Sequence, residues 1–296
     1  MTNYNENISN NKKQKIYKTL NVSGRVIIYI ILIVLAFTMV FPYLWMIFTS
    51  FKTGIEAMDT TTLKLFPNVW MFENYKKVFE TVPFTKGVLK TMIIEISVIP
   101  IGTLVSALAA FAFAKLKMPF KNGFLLILLS GTMIPYAALM LPQFRVFQQL
   151  NMLNTLWPLI LPGLFGNVMM MFFFVQYLKS MPSELIDAAK MDGANYIQIF
   201  FKIMFPLILP AMAVQIVFWF TGIWNDFFGP SIYLTQFASQ TLQPMLAKLS
   251  SDNSGGVVGL PLVMCGSVIS SLPILVLYIF FQKYFVESVA ITGLKG

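Results

Sequence analysis

Residues 181–210 read MPSELIDAAKMDGANYIQIFFKIMFPLILP, a polar stretch rich in helix start and stop signals that runs into an apolar one. Ser183 is placed to cap a helix beginning at Glu184, the carboxylates of Glu184 and Asp187 suit the positive end of its dipole, and Gly193 is a natural stop. Asn195 can cap a second helix running through Ile203 toward a further apolar segment after Pro206. On the first helix Leu185, Ala188 and Ala189 fall at i, i+3, i+4 spacing, with Glu184, Asp187 and Asp192 as an acidic rim. Two alanines let another backbone approach closely, so this pattern fits a docking surface. A short helix held between two membrane spans can be pushed by a partner and pass the displacement to both. The competing reading is a helix lying on lipid headgroups, which the acidic rim disfavours beside an anionic leaflet.

On either side the chain turns apolar. A helix needs about 20 mostly apolar residues to cross the hydrocarbon core, and six windows qualify, at 25–49, 88–114, 123–144, 155–178, 205–228 and 258–282. The expected fold is therefore all-α and polytopic, with six transmembrane helices. It divides into an N-terminal tail 1–24, a first span 25–49, an extracytoplasmic loop 50–87, a core 88–284 holding the coupling loop 179–204, and a tail 285–296. The composition agrees: of 296 residues 57% are hydrophobic and 11% charged, whereas a soluble domain carries about 25% charged residues. Mean hydropathy is +0.73. The first apolar segment is too long for a signal peptide and lacks a small-residue cleavage site, so it is expected to be a retained span.

Lysine and arginine placement orients these spans. Lys12, Lys13, Lys15, Lys18 and Arg25 precede the first, Lys115, Lys117 and Lys121 join the second and third, Lys179, Lys190 and Lys202 join the fourth and fifth, and Lys283 and Lys295 close the chain. Both termini and these loops are thereby expected in the cytoplasm. On the other side, the lysines of loop 50–87 are diluted by Glu56, Asp59, Glu73 and Glu80.

Whole classes of function are excluded. The chain has no histidine and one cysteine, Cys265, which removes internal disulfides, thiolate metal cages and the commonest general base. No stretch fits G-x-x-x-x-G-K-[ST], so ATP-driven work needs a partner. The net charge of +9 lies in short groups beside apolar runs rather than in a stripe with interleaved aromatics, which argues for membrane topology and against nucleic acid.

The run Glu184-Leu185-Ile186-Asp187-Ala188-Ala189-Lys190-Met191-Asp192-Gly193-Ala194 resembles the EAA loop of binding-protein-dependent ABC importer permeases, in the E-A-A-x-x-D-G-A form typical of carbohydrate importers. Asp187 stands where that pattern usually has Glu. Three further stretches resemble the maltose-type second permease: Trp224-Asn225-Asp226-Phe227, Phe72-Glu73-Asn74-Tyr75, and the end of the chain, Gln282-Lys283-Tyr284-Phe285-Val286 with Thr292-Gly293-Leu294-Lys295-Gly296. At the second span Lys90-Thr91 replaces the usual Asn-Ser pair. The resemblance implies a type I ABC importer permease fold in a bacterial or archaeal cytoplasmic membrane, with no cofactor bound by this chain. It implies a heterodimer with a second permease, two ATPase subunits that hold ATP and Mg, an extracytoplasmic solute-binding protein and a sugar substrate. Glu184, Leu185, Asp187, Ala188, Ala189, Asp192, Gly193 and Ala194 would then couple to the ATPase, as would the tail from Tyr284. The tip Ser251, Asp252, Asn253, Ser254, Gly255 and Gly256 would contact the binding protein.

Smaller signals bear on a substrate path. Glu95 lies inside the second span, where a carboxylate is costly unless it faces protein or water; it lines a pathway or is a structural group near the interface. Gln215, Trp219, Asn225 and Asp226 supply the hydrogen bonds and aromatic faces that bind sugars, or bridge and pack helices. An importer of another solute, such as glycerol phosphate, would share the same engine. A stand-alone intramembrane enzyme or ion-coupled carrier would need paired polar catalysts or coupling charges within spans, and neither is seen.

Overall fold

The computed structural model describes the backbone of residues 2–59, 61–62, 64–236, 239–251 and 259–293, and within it the side chains of 24–249 and 259–285. Among the described residues every regular element is a helix. Helix α1 (Thr2–Ser50) carries the first span in its part Gly24–Ser50 and continues the polar start of the chain in the same helix. The loop after it folds into α2 (Gly54–Met58), where the Thr53 side chain accepts from the Glu56 N–H, and α3 (Glu73–Thr81). On the turn after α2, hydrogen bonds from the Thr61 and Thr62 hydroxyls hold the exposed Asp59 carboxyl at a pKa of about 2. The second span is α4 (Phe84–Lys115).

The expected third span at 123–144 is not one straight helix. It is α5 (Lys121–Thr132) and α6 (Tyr136–Gln149), bent by 91°. Pro135 stands at the break; it has no N–H for the ladder and disfavours the helical region at Ile134. The fourth span is also interrupted, into α7 (Trp157–Leu164) and α8 (Val168–Lys179). Gly166 takes φ +95° there, and the Asn167 side chain caps α8 by accepting from the Met170 N–H at 3.0 Å.

After α8 come α9 (Glu184–Met191) and α10 (Tyr196–Ile199), then a π-helical turn (Phe200–Met204) that leads without a gap into α11 (Phe205–Trp224). The second helix, expected to run through Ile203 toward the fifth span, is four residues of α-helix that pass through the π-turn into that span without a gap. The widened turn falls just before Pro206, whose ring and missing N–H are incompatible with an ordinary α-helical turn at that point. The fifth span ends in α12 (Phe228–Tyr233). An element not foreseen, α13 (Leu242–Ser251), follows, and α14 (Gly259–Gly293) is the last span and extends through most of the expected tail 285–296. Among the described residues five helical stretches are long and apolar enough to cross a membrane, six if the bent α5–α6 pair is counted as one span.

Without a hydrophobic drive between helices in lipid, close packing has to hold them. α4 provides it with small residues at four-residue spacing, Gly102, Ser106 and Ala110, turned toward α7 and α8. A Cβ on Gly102 would collide with the Trp219 ring and the Gly163 carbonyl. Ser106 Oγ accepts from the Asn167 N–H at 2.8 Å and donates to the Gly102 carbonyl at 2.7 Å, so it satisfies backbone freed by the break in the fourth span. Toward one end Phe111, Phe174, Leu178, Ile199, Phe200, Met204 and Ile208 form the core. Toward the other, α13 supplies Leu242, Leu246 and Leu249 to a cluster with Phe84, Trp224 and Leu262. The Trp224 indole donates to the Ser270 carbonyl at 2.8 Å, joining α11 to α14.

α1 is held at its end rather than along its length. Tyr43 pairs with Ser271 at 3.0 Å, and Asn74 Nδ2 donates to the Ser50 and Lys52 carbonyls, each at 2.9 Å. Tyr75 hydrogen bonds to the Ser50 hydroxyl, and partial burial raises its pKa above the ordinary tyrosine value. The Phe72-Glu73-Asn74-Tyr75 stretch therefore clasps the top of the first span.

Candidate functional site

The α9–α10 hairpin hangs between the fourth and fifth spans. Its start differs from the sequence expectation: Ser183 is in helical conformation (φ −75°, ψ −22°) and makes no side-chain cap. Its carbonyl instead accepts from Ile186 and Asp187 N–H groups at 2.9 and 3.2 Å. The stop at Gly193 has the expected left-handed backbone, φ +77°. The Gly193 N–H reaches the Lys190 carbonyl at 3.0 Å and the Ala194 N–H reaches that of Ala189 at 2.9 Å, the paired bonds of a Schellman termination. Asn195 and Gln198 then form a reciprocal capping box, both bonds 2.9 Å.

The face of α9 turned to the bundle is Ile186 and Ala189, both buried, with Met181 and Ala194 packed at the margin of the same core. Ala189 therefore does not share an outward face with Leu185 and Ala188, as its spacing allowed; the larger Ile186 selects the inward side and Ala189, three residues on, goes with it. Leu185, Ala188, Met191, Glu184, Asp187 and Asp192 are exposed. Lys115 at the end of α4 donates to the Met181 carbonyl at 2.7 Å, which ties the second span to the segment entering α9.

The residues considered for a substrate path are scattered. Glu95 is buried in α4, and its Oε1 has no hydrogen-bond partner. Gln215 and Trp219 are half-buried on α11, and the Trp219 ring lies over Gly102 as a packing group between helices. Asn225 donates to the Thr221 carbonyl at 2.9 Å and accepts from Gln243 of α13 at 3.2 Å. Asp226 accepts from the Gly229 N–H at 3.2 Å and stands near Tyr136, while Tyr233 donates to Gln143 at 3.1 Å. Sequence reasoning passed over Tyr136, Gln143, Tyr233 and Gln243. Leu242, Met245, Leu246 and Leu249, at i, i+3, i+4, i+7, were the signal for the helix that brings Gln243 in. Of the expected contact tip, Ser251 ends α13, and Asp252, Asn253, Ser254, Gly255 and Gly256 lie outside the described residues, as do Leu294, Lys295 and Gly296 of the tail.

Five or six apolar spans among the described residues, two of them broken, with a capped hairpin projecting between the fourth and fifth, define a multi-pass helical membrane protein with a folded element at one end of its bundle. Residues 84–291 match the family described as "Binding-protein-dependent transport system inner membrane component", and the chain belongs to that family. It is 34% identical over 264 residues to the arabinooligosaccharides transport system permease protein AraQ of Halalkalibacterium halodurans, covering 88% of this chain and 93% of that one. It is 30% identical to the galactooligosaccharides transport system permease protein GanQ of Bacillus subtilis, covering 90% and 94%. Its fold is similar to a chain in the crystal structure of a bacterial ABC transporter involved in the import of the acidic polysaccharide alginate, with a TM-score of 0.73 at 24% identity over 88% of this chain and 95% of that one.

Proposed function

We propose that this chain is the permease subunit of an ATP-driven importer that moves a sugar or oligosaccharide delivered by an extracytoplasmic solute-binding protein. The observation that carries the reading is the hairpin at 184–199, capped at Asn195, closed at Gly193 and seated on both the fourth and fifth spans, in a chain of this family. The sugar class is supported by the cargo named for AraQ and GanQ.

In this reading two ATPase subunits hold ATP and Mg, and a second permease completes the translocation path. Both termini and the α9 end face the cytoplasm. Leu185, Ala188 and Met191 offer apolar contact to an ATPase, and Glu184, Asp187 and Asp192 orient that contact. Ala189 and Gly193 act differently: the first seats α9 on the bundle and the second shapes its turn, so a push on α9 moves the spans. Asn225 and Asp226, with Gln243 and Tyr136 beside them, supply polar groups along the path, and the tip at 251–256 reaches the binding protein.

The experiment is affinity purification of the tagged chain in mild detergent, with mass spectrometry and an ATPase assay in the presence of candidate binding proteins. Co-purification of a second permease and an ATPase, with hydrolysis stimulated by one sugar-loaded binding protein, is the expected result. Stimulation by a binding protein loaded with glycerol phosphate would overturn the sugar assignment. A folded chain that purifies alone and transports without ATP would overturn the whole reading.

A further inference from the structure

We propose that the groove between α9 and the α4–α5 turn binds the phosphate of an anionic phospholipid headgroup. The groove has a volume of about 520 Å³, and its lining includes Lys115, Lys117, Ser183, Asp187, Lys190 and Tyr196, within the roughly 300–1,000 Å³ usual for small-ligand sites. Lys115 ends α4, whose apolar part is long enough to cross a membrane, so the groove opens beside the end of a span. Basic pockets at the ends of membrane helices bind anionic headgroups.

The cations are placed but not neutralised. Among the described residues no carboxylate lies within 4.0 Å of the ammonium groups of Lys115, Lys117 or Lys190. Lys115 spends one donor on the Met181 carbonyl and keeps the others. Lys190 sits over the Tyr196 ring, 4.8 Å from its centroid, which holds it beside the groove. Ser183 brings a hydroxyl that makes no cap. Asp187 is the one carboxylate in the lining, with Glu184 close to Lys115, so the wall remains net positive and selects an anion. A phosphate there would bridge the end of the second span to α9 and slow the opening of the hairpin.

The test uses the full chain purified in detergent, with native mass spectrometry to count retained phosphatidylglycerol against phosphatidylcholine and hydrogen exchange across 184–194. Wild type is expected to retain phosphatidylglycerol preferentially and to exchange more slowly with it. The K117Q/K190Q pair, which leaves the Lys115 bond intact, should weaken that preference about 30-fold, as two lysines at a membrane surface imply. K117R/K190R should keep it, and so should K76Q/K77Q on α3. Equal retention of the two lipids by wild type, or equal loss in K76Q/K77Q, would overturn the proposal. So would the same protection from inorganic phosphate alone, which would make this a free-phosphate site, or protection that appears only when an ATPase subunit is bound, which would give the groove to an acidic protein segment.

Discussion

Replacing Gly193 isolates the contribution of one backbone conformation to the hairpin. The residue holds φ +77°, and a Cβ built on it meets nothing within 4 Å. Alanine there creates no clash, and the penalty is that of left-handed backbone alone, roughly 1–2 kcal/mol. Two hydrogen bonds depend on that conformation, from Gly193 to Lys190 and from Ala194 to Ala189. If the backbone relaxes to negative φ, both are lost, and Ala194 leaves its packing against the core. Taking the lower figure, about 1 kcal/mol multiplies the open fraction of this turn about fivefold, since 1.4 kcal/mol is tenfold. Hydrogen exchange at the amides of residues 193 and 194 should therefore quicken about fivefold in Gly193→Ala. Gly193→Asn should fall near wild type, because asparagine tolerates the left-handed region. Transport per ATP hydrolysed in the reconstituted assembly should follow the same order. If alanine and asparagine both exchange like glycine, the turn is not held by its φ angle, and the account of the hairpin as a shaped, rigid element is refuted.

Ser106→Ala leaves the Asn167 N–H without its partner in a span where no water replaces it, and should cost about 1–3 kcal/mol, read as a lower thermal midpoint in detergent. Trp224→Phe keeps the ring beside Phe220 but removes the 2.8 Å bond to Ser270; chemical denaturation in micelles should register a loss of about 0.6 kcal/mol. Leu185→Lys alters an exposed side chain, so stability should move by less than about 0.5 kcal/mol while uptake of labelled substrate falls severalfold. Unchanged uptake would remove Leu185 from the docking face.

The number and position of the spans were legible because apolar runs of the right length leave a bilayer-spanning helix few alternatives. Their internal breaks were harder to read. Pro135 ends a helix, but the 91° turn depends on how α6 packs beyond it. The break at Gly166 depends on Ser106, 60 positions earlier, reaching back to pair with Asn167. The hairpin was readable at Gly193 and Asn195, where few residue types suit the geometry. It was misread at Ser183, which already sits in helical backbone, so its side chain is poorly placed to accept from the N–H groups ahead of it. Ala189 fitted two faces by spacing, and only Ile186 and the core beneath decided between them. α13 was missed because its leucines are interleaved with Gln243, Lys248 and serines that read as loop.

How α9 is attached determines which part of the bundle can follow it. Its inward residues Ile186 and Ala189 belong to the core at this end of the bundle, and Ile186 alone contributes about 1.5–3 kcal/mol to staying there. The Lys115 bond to Met181 braces the segment entering the hairpin against the second span. On the leaving side, the chain passes through Phe200–Met204, where the hydrogen-bond ladder has already changed register, and then through Pro206, which cannot donate to it. Bending there breaks fewer backbone bonds than bending elsewhere in α11. It also leaves the contact of Trp219 on Gly102 intact, because that crossing lies more than three turns further along the helix. In the proposed coupling, a displacement of α9 is resisted by the core under Ile186 and Ala189 and meets the most altered backbone ladder at the π-turn.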